Sequence, residues 1–174
     1  MRTCRKHADS EIGAPRPEDL RADTGDYEAL SDDDRELLTQ FHLLPETMDL
    51  AKRLTSEAPT TYDKVVKLQA YLSGNDFRYS MTVPELPAEY AVDAFINRAR
   101  TGHCELFATA LAQMVRSLGI PARVASGYKG GEYAETDHSF IVRGAMAHLW
   151  VEVLFPTLGW VRFDPSPQSD ANEN

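Results

Sequence analysis

A thiol nucleophile needs a base, and the base needs an acceptor that orients it. Cys104, His148 and Asp164 offer one of each in settings that suit the task. Cys104 lies in Gly102-His103-Cys104-Glu105-Leu106-Phe107-Ala108. Gly102 and His103 are poor helix-interior residues, whereas Phe107, Leu111, Met114, Val115 and Leu118 recur at helical spacing until Gly119 and Pro121 stop the run. The spacing predicts a helix whose first turn holds Cys104. A thiol there meets the positive end of the helix dipole and unpaired backbone N–H groups, both of which favour thiolate. The alternative is an inert, buried structural cysteine.

In Ala147-His148-Leu149-Trp150-Val151-Glu152-Val153, a period of two puts His148, Trp150 and Glu152 on one face of a strand. Leu149, Val151, Val153 and Phe155 take the other face, which wants a dry core. In the next strand Val161 and Phe163 share one face, and Trp160, Arg162 and Asp164 the other. If Val161 and Phe163 join the aliphatic side, Asp164 falls beside His148 as a cross-strand or diagonal neighbour, ~4.5–8 Å away. A one-residue slip would undo the pairing. Other readings stay open. His148 can be a satisfied sheet histidine, and Asp164-Pro165 a strand-ending turn. His138 offers a second base, though Asp137-His138-Ser139 reads as a solvated loop. His138, His148 and Asp164 could share a metal, but no HExxH spacing supports that.

These residues need a frame. The chain has 174 residues, 43% hydrophobic and 26% charged, which suits one domain with a sizeable core. A net charge of -9 argues against a nucleic-acid surface. No run approaches eighteen apolar residues, so this chain is not expected to span a membrane. The segment from Met1 to Asp9 lacks the apolar core of a signal peptide. Cys4 and Cys104 make no disulfide framework, and no CxxC pair suggests structural zinc. Both thiols read as free, which suits a reducing compartment and equally an exported domain whose thiol does chemistry.

Residues 1–30 read as a polar leader, extended or partly disordered. Residues 31–167 read as one domain, and 168–174 as a disordered polar tail. Helix starts are expected at Ser31-Asp32-Asp33-Asp34 and Thr60-Thr61-Tyr62-Asp63, each with a capping hydroxyl. Between them, Met48, Ala51 and Leu54 mark a further helix, and Tyr90 to Ile96 a short one. Phe77 to Met81 alternates as a short strand. After Pro121 four strands are expected, at 123–128, 139–143, 147–155 and 160–164, largely antiparallel because their connections are short. Helices followed by an antiparallel sheet give an α+β domain.

With Gly119-Ile120-Pro121-Ala122-Arg123, Ser126-Gly127-Tyr128 and Gly159-Trp160-Val161-Arg162-Phe163-Asp164-Pro165, the cysteine and histidine stretches form five ordered blocks. In that order they resemble bacterial transglutaminase-like domains, whose core is similar to animal transglutaminases and papain-type cysteine proteases. The resemblance covers roughly Leu44 to Pro167. It implies a cysteine-bearing helix packed on an antiparallel sheet, with the nucleophile at Cys104, the base at His148 and the orienting acid at Asp164. It departs at His103, where Tyr is frequent, at Leu149, where Ala is usual, and at Ser166, where Thr usually follows Asp-Pro.

The activity implied is acyl transfer from amide groups of proteins or peptides through a Cys thioester. A cysteine peptidase or amidase using the same triad, or a non-catalytic interaction module, are the alternatives. Expected partners are a glutamine-bearing protein or peptide and an amine, with neither nucleic acid nor a membrane touched by this chain. No cofactor or metal is expected. Trp150 and Tyr128 are candidate cleft walls, aromatic core positions being the alternative. Many similar domains are extracytoplasmic parts of membrane proteins, so the resemblance favours such a domain, with a free-standing cytoplasmic protein as the alternative.

Overall fold

The computed structural model describes residues 15–130, 132–136 and 138–167. Its centre is α6 (Cys104–Arg116), where Phe107, Ala108, Ala110, Leu111, Met114 and Val115 are all fully buried. A helix with apolar residues around so much of its circumference must be covered on several sides. Helices α3 (Pro45–Thr55) and α4 (Thr61–Leu72) and the short α5 (Ala91–Ala94) pack on one side. On the other lies an antiparallel sheet of β3 (Ala122–Tyr128), β6 (Ala147–Phe155) and β7 (Gly159–Phe163), in the order β3-β6-β7. Val151, Val153 and Phe155 are fully buried, as the alternating pattern predicts. The fold is α+β.

The helix starts follow their caps. Ser31 Oγ accepts the Asp34 N–H at 3.1 Å to open α2 (Asp32–Thr39), and Thr60 Oγ1 accepts the Asp63 N–H at 3.1 Å to open α4. Pro45 stands at the first position of α3, where a missing N–H costs nothing. Helix α2 buries nothing: Leu37 is 65% exposed. Its charged residues and capping hydroxyl shape it as a surface turn.

Two further departures concern connectivity. Only three of the four expected strands join the main sheet. β5 (Ser139–Ile141) pairs instead with β4 (Glu132–Ala134) in a separate antiparallel hairpin, so β3 lies directly against β6. Phe140 and Ile141 are exposed and bring no buried face that would insert the strand. Upstream of α6, β1 (Arg78–Tyr79) pairs in parallel with β2 (Thr101–Gly102), a bridge that short-range pattern did not announce.

The described part of the supposed leader is built into the fold, which corrects that expectation for residues 15–30. Helix α1 (Pro17–Ala22) packs on α4 and buries Leu20. Asp23 Oδ2 accepts the backbone N–H of Thr157 at 2.9 Å and its hydroxyl at 2.6 Å. The Tyr27 hydroxyl donates to the Leu154 carbonyl at 3.0 Å, and burial pushes its phenol up to about 12. One leucine and a few directional bonds replace the apolar stripe that composition would reveal. Residues 1–14, with Cys4, and the tail at 168–174 lie outside the described residues. Among the described residues, no helix is long and apolar enough to cross a membrane.

Candidate active site

Cys104 is the first residue of α6 and is partly exposed with a free thiol. His103 precedes it in extended conformation, and its side chain makes no capping bond to the helix. The tip is braced from below by aromatic rings. Phe95 and Phe107 meet edge to face at 4.9 Å, and Tyr79 stacks on Phe107 at 6.4 Å with 13° between planes. Gly102 is required by this packing: a Cβ there would lie 2.8 Å from Leu106 Cδ1 and 3.1 Å from Phe95 Cε2. The parallel bridge then fixes Tyr79 against the tip. Arg78 donates its N–H to the Arg100 carbonyl and Ser80 to the Gly102 carbonyl, both at 2.8 Å. The Tyr79 hydroxyl donates to Met81 Sδ at 3.9 Å and lies near Cys104. Burial foremost, then the Cys104 side chain, push its phenol upward; Asp164 adds to the rise and the Cys104 N–H opposes it.

His148 and Asp164 meet as the alternation requires. Val151 pairs with Phe163 and Val153 with Val161, which puts the aliphatic residues of β6 and β7 on one face. One step beyond the Val151–Phe163 pair, Asp164 comes level with Trp150 and diagonal to His148. His148 Nε2 and Asp164 Oδ2 are 2.7 Å apart, and His148 is only 8% exposed. A carboxylate can only accept, so Nε2 carries the proton and Nδ1 keeps its lone pair. The other carboxylate oxygen, Oδ1, accepts the Ser166 N–H at 3.2 Å, an Asx turn that sets the rotamer. Ser73 Oγ donates to the Pro165 carbonyl at 2.9 Å and ties this loop to the end of α4.

Cations gather on the same carboxylate. Lys129 Nζ is 3.5 Å and Arg162 Nη2 3.8 Å from Asp164 Oδ2. Burial acts to raise the Asp164 carboxyl, but hydrogen bonds from His148 and the Ser166 N–H outweigh it. With the charges of His148 and Lys129 they hold it below its ordinary value. Neither cation was singled out from sequence; for Arg162 the signal existed, since it alternates with Trp160 and Asp164. Tyr79 was missed too, because its place depends on pairing between segments far apart in the chain.

The remaining candidates differ in burial and in the partners they meet. Trp150 shares its face and is half-buried, with its ring under the Arg162 guanidinium at 4.1 Å. It also closes over Gly127, where a Cβ would stand 2.6 Å from Trp150 Cη2. Tyr128 is 59% exposed and pairs with Ala147, one residue from His148. His138 is on the exposed β4–β5 hairpin, with Nδ1 3.0 Å from the Tyr133 hydroxyl and a left-handed backbone (φ 50°). Among the described residues, no group of three or more His, Cys, Asp or Glu side chains could hold a metal.

The model of the transglutaminase-like superfamily matches residues 48–165, a span containing Cys104, His148 and Asp164. The chain is 40% identical over 131 residues to the uncharacterized protein YebA of Bacillus subtilis, covering 71% of this chain and 18% of that protein. It is 34% identical over 134 residues to a protein-glutamine gamma-glutamyltransferase of Pseudomonas aeruginosa, covering 77% of this chain and 20% of that protein. The chain thus corresponds to only a minor part of either relative. Among solved structures, the periplasmic domain of TgpA from Pseudomonas aeruginosa, bound to ethylmercury, superposes with a TM-score of 0.71. That match is 32% identical and covers 80% of this chain and 50% of the other. A protein from Cytophaga hutchinsonii described as a putative cysteine protease shares the fold, with a TM-score of 0.56 at 22% identity, covering 79% of this chain and 43% of that one.

Proposed function

The chain belongs to the transglutaminase-like superfamily, and from that premise we propose that it is a thiol acyl-transfer enzyme acting on protein-bound glutamine, with Cys104, His148 and Asp164 as nucleophile, base and orienting acid. One observation carries this reading: the 2.7 Å contact of His148 Nε2 with Asp164 Oδ2, which leaves Nδ1 free as a base. The Pseudomonas aeruginosa relative that bears the glutamyltransferase name supports the choice of glutamine.

The chemistry follows from these roles. His148 Nδ1 takes the Cys104 proton, and the sulfur forms a bond to the carboxamide carbon while the C=O electron pair moves onto oxygen. Collapse of that tetrahedral species re-forms C=O and breaks the C–N bond. The proton on His148 goes to the leaving nitrogen, so ammonia departs and a thioester remains. A primary amine then attacks the thioester carbon and gives a proton to His148; the sulfur leaves, and an isopeptide bond forms. Water in place of the amine yields glutamate. Asp164 stays ionised throughout and stabilises the imidazolium.

Incubating the protein with a glutamine peptide and a fluorescent primary amine tests this. The label is expected on the peptide with wild-type protein and not with Cys104→Ala. Casein cleavage without amine incorporation would instead make the same residues a peptidase site. Iodoacetamide labelling of Cys104 no faster than a free thiol at neutral pH would remove the nucleophile from either account.

A further inference from the structure

An enzyme that takes a glutamine from a protein must also hold the chain on either side of it, and such contacts sit on segments that project from the scaffold. The β4–β5 hairpin projects in this way. Among the described residues its strands pack extensively only on each other. Tyr133 and Phe140 form its central cross-strand pair, with ring centroids 5.1 Å apart, and are 51% and 69% exposed. Ile141 and Val142, next in sequence, are exposed as well. We infer that this hairpin is a docking surface for the protein substrate and grips apolar side chains beside the reactive glutamine, an inference that rests on the acyl-transfer reading above.

The hairpin stands beside the reactive residues. The last two pairs of the β3–β6 ladder are Gly127 with His148 and Tyr128 with Ala147. Just beyond them the Lys129 N–H donates to the Met146 carbonyl at 2.8 Å and closes the base of the excursion over 130–145. Lys129 Nζ is itself 3.5 Å from Asp164 Oδ2. β4 begins three residues after Lys129, a reach of at most ~11 Å. The aromatic pair therefore rises from the end of the sheet that carries His148, with the exposed Tyr128 at its foot. A two-stranded hairpin is marginal by itself in water, and exposed apolar surface of this kind marks a place where another molecule binds. Because the surface is continuous with the proposed acyl-transfer site, the polypeptide that brings a glutamine to Cys104 is the one that meets it. The Tyr133 hydroxyl is engaged with His138 Nδ1 at 3.0 Å, so the pair offers its rings rather than a polar handle. Apolar side chains fit such rings, and charged ones would lose hydration there without a partner.

Two glutamine peptides of equal length test this with a fluorescent primary amine, one carrying leucine and phenylalanine beside the glutamine and the other carrying serines. The wild-type protein is expected to favour the apolar peptide about tenfold in kcat/KM, the scale of one partly buried apolar side chain. In the double variant Tyr133→Ser, Phe140→Ser that preference is expected to vanish through a rise in KM, with kcat little changed. The p-nitrophenolate burst from p-nitrophenyl acetate, which has no flanking residues, is expected to stay close to wild type. If the preference survives the double substitution, the hairpin does not hold the substrate and the inference is wrong. It is wrong too if the burst falls in step with peptide turnover, because the hairpin then supports the site rather than the substrate. A wild-type dimer in sedimentation that the double variant converts to monomer, with the preference unchanged, assigns the surface to a second copy and overturns it. A wild-type protein that gives both burst and amine incorporation but ignores the flanking residues overturns this inference alone. One that gives neither burst nor incorporation overturns the acyl-transfer reading itself, and this inference with it.

Discussion

The two faces of β6 are built from alternate residues of one strand, yet different physics holds each. On the inner face Val151, Val153 and Phe155 lie fully buried against α6 and the facing side chains of β3 and β7. Their contribution scales with area and has no preferred direction. On the outer face directed contacts prevail. Arg123 ties to Glu152 at 2.8 Å, Arg162 stacks on Trp150 at 4.1 Å, and His148 reaches Asp164 at 2.7 Å. The difference teaches where tolerance lies: the inner face accepts any apolar shape that fills the space, whereas the outer face fails when one atom type changes.

The largest test is Asp164→Asn. It preserves shape but offers the imidazole an N–H, so turnover in the amine-incorporation assay is expected to fall by up to about 10⁴-fold while the melting temperature moves little. An equally large loss of stability would break the separation of the faces. Next comes Phe155→Ala on the inner side. Chemical denaturation is expected to show roughly 3–5 kcal/mol less stability, with turnover per folded molecule near wild type at low temperature. Smaller is Gly127→Ala, because Trp150 must move aside for the new Cβ. A cost of about 1–3 kcal/mol is expected in urea melts, together with partial loss of turnover as Trp150 shifts from Arg162. An unchanged turnover would detach Trp150 from the working face.

Acid sharpens the contrast with the smallest effect. The folded-state pKa of Asp164 is depressed, so its contribution is full above the unfolded value of about 3.9 and is lost as pH falls through the folded value. Stability measured across that window is expected to fall less steeply in Asp164→Asn than in wild type. In Phe155→Ala the whole curve is lowered but its slope is kept, since the substitution removes no titratable group.

The outer face was legible in the sequence because strand alternation and a short turn suffice to bring Asp164 beside His148. The inner face was legible for the same reason, and the start of α6 was marked by Gly102 and His103. What escaped depends on partners distant in the chain. Tyr79 belongs to a two-residue strand whose pairing with Thr101–Gly102 leaves no periodic trace. The β4–β5 hairpin has strand-like alternation, and only its exposure shows that it stands outside the main sheet. The segment from Pro17 to Leu30 carries few apolar residues; its anchorage rests on a carboxylate and a phenol meeting groups in β6 and the turn after it.

That anchorage bears on how the molecule comes into being. Asp23 and Thr157 are 134 positions apart, so their bond closes one of the longest loops the chain can make. Loop closure of that length is slow and entropically costly, and its reward comes only after β6 and β7 have emerged from the ribosome. The bundle around α6 can collapse early, while the clasp, like the His148–Asp164 contact, waits for the last strands. Assembly of this protein is therefore expected to be ordered in time, with the contact between His148 and Asp164 among the last to form.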